Sequence, residues 1–160
     1  MIFTQRTKVA VVKAPSANMG GSGDCTPISL KHYTHATFLI PLGAKNTGTT
    51  AITLKKASDI AKTGAVAIPF RVCHNEGQAV ADALSDPAYT ADATGFTTNA
   101  TDNELIAIEV ETRELGEGFS VVYPNFAQGA AGNIAGTCIV VLSNGRYLGS
   151  NKDVMPSCLS

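Results

Sequence analysis

The sequence predicts a mainly β protein, a single-domain β-sandwich or jelly-roll/barrel-like fold with at most one short helix. Three observations carry that expectation. Apolar residues recur at period two in several short runs, as half-buried strands require. Those runs are rich in β-branched and aromatic residues. Clusters of Gly, Asn, Asp and Pro separate them. With 160 residues, 44% of them apolar, the chain is long enough to bury one real core. No fixed-period repeat and no shift in composition divides it. One domain over residues 1–160 is expected, with an extended N-terminal arm (about 1–6), a long loop (14–29) and an irregular C-terminal tail (about 148–160).

A first strand is expected over Thr7 to Val12, followed by the Gly- and Ser-rich stretch PSANMGGSGDCTP, which reads as a loop or arm. HYTHATFLI is the next strand signal. TTAITLKK follows, with Ile52 and Leu54 on one face and Thr53 and Lys55 on the other. ASDIAKTG reads as a loop or short helical turn. AVAIPFRVC sets Val66, Ile68, Phe70 and Val72 at strict period two. Pro69 removes a ladder donor within it, which points to an edge strand or a bulge. EGQAVADALSDPAY offers the one short helix, with Ala79, Val80, Ala83 and Leu84 on a face and Pro87 as its stop. GFTT precedes ELIAIEVET, where Ile106, Ile108 and Val110 alternate against Leu105, Ala107 and Glu109. FSVVY is a further strand, PNFAQGAAGNIAG a second long loop, and TCIVVLSN the last strand before a turn at NGR.

Composition narrows function. Charged residues make up 16% and the net charge is −1, so there is no basic stripe for nucleic acid. Lys8, Lys13, Lys31, Lys55, Lys56 and Lys62 are dispersed and read as solvated or rim lysines. No apolar run reaches the ~20 residues of a membrane helix, and MIFTQRTKVAVVK lacks the apolar core of a secretory signal. Synthesis in the cytoplasm is expected. Cys25, Cys73, Cys138 and Cys158 form no CxxC or zinc-ligand spacing. Cys73 and Cys138 read as small buried hydrophobes. Cys25 and Cys158 fall in loop-like stretches, where an oxidising setting would allow a bridge.

His32 and His35 stand three apart, and on a strand such residues point to opposite sides of the sheet, so they do not share a metal. Cys73-His74 are adjacent and diverge likewise. There is no GxSxG elbow, and Ser58-Asp59 and Ser85-Asp86 read as turn or cap pairs. MGGSGDCTP has glycines but neither GK[ST] nor a following helix. Glu109 and Glu111 share one strand face, the spacing at which a glycosidase would place two carboxylates, yet the same alternation reads as a solvent face. No cofactor is expected, and the protein is expected not to be an enzyme.

HATFLI, the run GTTAITLKKASDIAKTGAVAIPF, and CIVVLSNGRYLG with Arg146-Tyr147 together resemble a pattern of small structural proteins of tailed bacteriophages. The resemblance spans Lys31 to Gly149 and is most specific at its two ends. It implies a virion component encoded near the major capsid protein: a head decoration (cement) protein bound outside the major capsid shell. A homo-oligomer, with a trimer favoured at local three-fold axes, is then expected, and many weak contacts would sum by avidity. The apolar residues Met1, Ile2 and Phe3 of the arm and Val154, Met155 and Leu159 of the tail are the expected partner contacts. A tail or head–tail connector component, or a displayed carbohydrate- or receptor-binding module, are the alternatives. The absence of Trp weighs against the last.

Overall fold

The structure, a computed structural model, describes residues 7–45, 48–75, 88–90, 94–100 and 103–145. Two antiparallel sheets pack face to face as a β-sandwich. In the large sheet, β1 (Lys8–Ser16) pairs with β12 (Ile134–Gly145), which pairs with β4 (Tyr33–Lys45). Then come β10 (Glu104–Glu111), β7 (Phe70–His74) and β8 (Ala88–Thr90). The small sheet is built on β11 (Val121–Gln128) and β5 (Thr50–Ala57), flanked by β2 (Gly23–Asp24), β3 (Ile28–Ser29), β6 (Val66–Ile68) and β9 (Phe96–Thr97).

The alternation seen in the sequence puts the core between the sheets. Ala36, Phe38 and Ile40 of β4 face inward beside Val140 and Leu142 of β12 and Ile106, Ile108 and Val110 of β10, all fully buried. Opposite them lie Ile52 and Leu54 of β5 and Val122 and Phe126 of β11. Fully burying one such side chain stabilises the fold by roughly 1.5–3 kcal/mol relative to leaving it exposed.

Several expectations change in the structure. The first strand runs on to Ser16, with register shifts at Val11/Lys13 and Lys13/Ser16. The stretch 14–29 is therefore not one long loop. After Ser16, two short strands, β2 and β3, lie along β11. They are two residues each, too short to show a period. Pro69 directly follows β6, an edge strand of the small sheet as expected, but it stands at a corner that divides the run into two strands. β6 before it belongs to the small sheet and β7 after it to the large one. Ile68 and Phe70 stay buried across the corner while Val66 lies exposed. The segment changes sheets exactly where a ladder donor is missing.

FSVVY does not end at Pro124, because β11 continues to Gln128. The Pro124 carbonyl accepts from Cys25 N at 2.9 Å. Carbonyl and nitrogen of one strand residue point to the same side, so the missing N–H falls in the gap between β2 and β3, where no ladder bond is required. Gly95, at φ 61°, leads into β9, and a Cβ there would collide with the Ile52 carbonyl. ASDIAKTG forms a turn closed by Lys62 N on Asp59 O at 3.0 Å.

The expected helix over EGQAVADALSDPAY lies outside the described residues, apart from Ala88 and Tyr89 in β8. A four-residue helix, α1 (Thr112–Leu115), stands elsewhere. Glu111 N donates to Glu114 Oε2 at 2.7 Å, a local cap. Thr112 Oγ1 donates to Tyr33 O at 2.9 Å, and Leu115 plugs into the core.

Candidate functional site

The histidines occupy three separate places. His32 lies in the turn before β4, and His35 lies on β4, where its ring bonds Thr37 Oγ1 at 3.2 Å and stands 4.0 Å from Glu109 Oε1. His74 ends β7, with Nδ1 at 3.4 Å from Glu104 Oε1 and its ring 4.9 Å from that of Phe96. Among the described residues, no group of three or more His, Cys, Asp or Glu side chains gathers in a way that would hold a metal ion.

Glu109 and Glu111 do share the outer face of β10, since Thr37 and His35 of β4 stand opposite them in register. Their surroundings are those of scaffold charges. Glu111 Oε2 pairs with Arg113 Nε at 2.6 Å, and Arg71 reaches Glu111 at 3.9 Å and Glu114 at 3.3 Å. Glu111 is thus tied to Arg113 and Arg71 by ion pairs, while Glu109 stands beside His35.

A buried ion pair among the described residues has no signature in the sequence. At the far end of the large sheet, Lys45 closes on Glu104, and both side chains are fully enclosed. Lys45 Nζ also donates to Asn99 O at 2.7 Å, and His74 approaches the second carboxylate oxygen. These partners lie 59 residues apart in the chain. Nearby, Asn75 Oδ1 accepts from Leu105 N at 2.6 Å, fixing the end of β7 against β10.

A second hub covers the outer face of the small sheet. Asp24 receives Lys55 at 3.2 Å, Lys62 at 2.9 Å and Asn125 Nδ2 at 2.7 Å. Lys62 also lies 5.0 Å over the Tyr123 ring. Partial burial pushes the Asp24 carboxyl up, but the bonds from Lys62, Asn125 and Lys55 outweigh it and hold Asp24 below the usual carboxylate range. Burial, with the Asp24 charge beside it, pushes the Tyr123 hydroxyl up.

A depressed folded value means that Asp24 adds stability above its unfolded pKa, and that this is lost as pH falls through the folded one. Asp24→Asn is therefore expected to melt below the wild type at neutral pH, with the gap closing towards about pH 3. Thermal unfolding at the two pH values checks this. A gap independent of pH would mean that the hub holds the fold by shape rather than charge.

Cys25 and Cys138 are both buried in the main core as free thiols, and their side chains hydrogen-bond. That bond, with burial, pushes the Cys138 thiol far up. Cys25 is thus a core residue rather than a loop thiol available to Cys158, because the backbone bond from Thr26 N to Val12 O draws it between the sheets. Cys73 is half-buried, and Cys158 lies outside the described residues. Near His32, a depression of about 160 Å³ is lined by Ser29, Lys31, Ser58, Asp59 and Ser120 among others. It is below the roughly 300–1,000 Å³ of ordinary ligand pockets.

The expected partner contacts Met1, Ile2, Phe3, Val154, Met155 and Leu159 lie outside the described residues, as do Arg146 and Tyr147. No described helix is long and apolar enough to cross a membrane. The fold defines the chain as a β-sandwich protein. Comparison with protein-family models, with curated proteins and with solved structures found no match.

Proposed function

We propose that the protein is a non-enzymatic structural component of a bacteriophage virion, a decoration or cement protein on the outside of the major capsid shell. On this reading it is made in the host cytoplasm and takes neither cofactor nor nucleic acid. It associates with its own copies and stabilises the shell through many weak contacts. The observation that carries the reading is the resemblance described above, whose two specific ends fall side by side in the fold. HATFLI lies on β4 and CIVVLSNG on β12, and Leu39 stands opposite Ile139 in the ladder between them. The segments that resemble phage structural proteins thus form the centre of the large sheet. On that sheet Lys45 pairs with Glu104 and Arg71 with Glu111 across neighbouring strands or their ends, as scaffold charges would.

The test is co-sedimentation of the full chain with undecorated capsid shells, with stoichiometry read from quantitative gels. Saturable binding at a near-integral ratio to the capsid protein is expected. Absence of binding, with the protein closing into rings or tubes by itself, would replace this reading with that of a connector or tail component.

A further inference from the structure

The two sheets treat their outward apolar residues differently. On the small sheet, Ala57, Val121 and Tyr123 face away from the main core yet are at most 1% exposed, packed as a separate cluster under Lys62. The large sheet has a longer outward row that is not sealed in this way. Its register sets Val11, Ile139, Leu39, Ala107 and Cys73 abreast on five neighbouring strands. Core residues on either side of Ile139, Leu39 and Ala107 along the chain fix these three as outward. Val11 is 58% exposed and Val9, one row away, 45%. Ile139, Leu39 and Cys73 are half-buried, and the small Ala107 sits low between its neighbours. Pro41 and Leu105, opposite each other, extend the apolar surface on one side. An antiparallel sheet with one face in water alternates apolar and polar residues. Across its middle this sheet is apolar on both faces.

We propose that this outer face pairs with the same face of a second copy of the chain, about a two-fold axis running along the strands over Leu39. Side-chain size in the row favours a copy as the occupant. Val11 and Ile139 are large and occupy one end, while Ala107 and Cys73 are small and occupy the other. A half-turn over Leu39 sets Val11 above Cys73 and Ile139 above Ala107, large against small, the self-complementarity that an isologous interface requires. Area agrees. Five strands about 4.8 Å apart and roughly eight residues long present on the order of 650 Å², near the roughly 800 Å² each partner contributes to a stable interface. At the polar margin Arg71 is already held by Glu111 and Glu114, so closure leaves this cation paired. A self-matching face builds a two-fold contact, in place of the three-fold expected from shell geometry. The inference does not depend on the partner being a capsid.

Sedimentation equilibrium of the full chain across the micromolar range tests it, with Val11→Glu, Leu39→Glu and, as a control away from the face, Ile60→Glu. A dimer is expected for the wild type and for Ile60→Glu. For Val11→Glu and Leu39→Glu the dissociation constant should rise at least about thirtyfold, as for a central hot-spot residue. Val11 is on an edge strand and mostly exposed, so its variant reports even if Leu39→Glu does not fold; circular dichroism verifies both. A monomeric wild type, a trimer, or a dimer unchanged by Val11→Glu would overturn the proposal. A monomer whose binding to capsid shells is lost in Val11→Glu would assign the face to the shell instead.

Discussion

Replacing Glu104 with alanine is expected to destabilise the protein by about 3–5 kcal/mol, the range for breaking a buried ion pair from one side. The Lys45 ammonium is fully enclosed, and without Glu104 it keeps the Asn99 carbonyl but loses its counter-charge. Removing both charges together has a different outcome. Lys45→Met with Glu104→Leu is expected to recover most of the loss, because neither ion then has to be desolvated. Urea unfolding of the single and double variants measures both quantities. A single variant within about 1 kcal/mol of the wild type would show that water reaches Lys45 in solution.

Phe38→Ala is expected to cost a further about 3–5 kcal/mol in a separate experiment, through lost transfer energy and the cavity left behind. Phe38 sits at the middle of the most central strand, with Val140 and Ile108 directly opposite on its two neighbours, and is fully buried. Three strands rigidly define that site, so it has little freedom to collapse. Thr37→Ala, one residue away on the other face, is expected to change stability by less than about 1 kcal/mol. Near-equal effects at the two positions would mean that the β4 register differs from the one described.

Much of the sandwich was legible because alternation is a local property. Ile52 and Leu54, and Ile106, Ile108 and Val110, declared their faces without knowledge of their partners. What stayed hidden depended on distant pairings. The period across Val66, Ile68, Phe70 and Val72 is unbroken, so it gave no sign that Pro69 divides it between two sheets. Pro124 seemed a terminator because the gap between β2 and β3 that accommodates it is set by residues about a hundred positions earlier. Nothing local marks out Asp24 and Glu104, since the lysines that define their roles come from distant parts of the chain. The helix α1 was not expected, because four helical residues give no amphipathic period to read.

The position of β12 between β1 and β4 has a consequence for synthesis on the ribosome. β1 is the first described strand to be made, and its ladder partner is the last. Nearly a hundred residues separate the end of β4 from the end of β12, which at about 5–20 residues per second is some 5–20 s of translation. Throughout that interval β1 and one edge of β4 have no ladder partner, and the emerging chain must wait to complete its largest sheet. Folding by hairpins alone cannot shorten this delay, because the missing partner has not yet been translated.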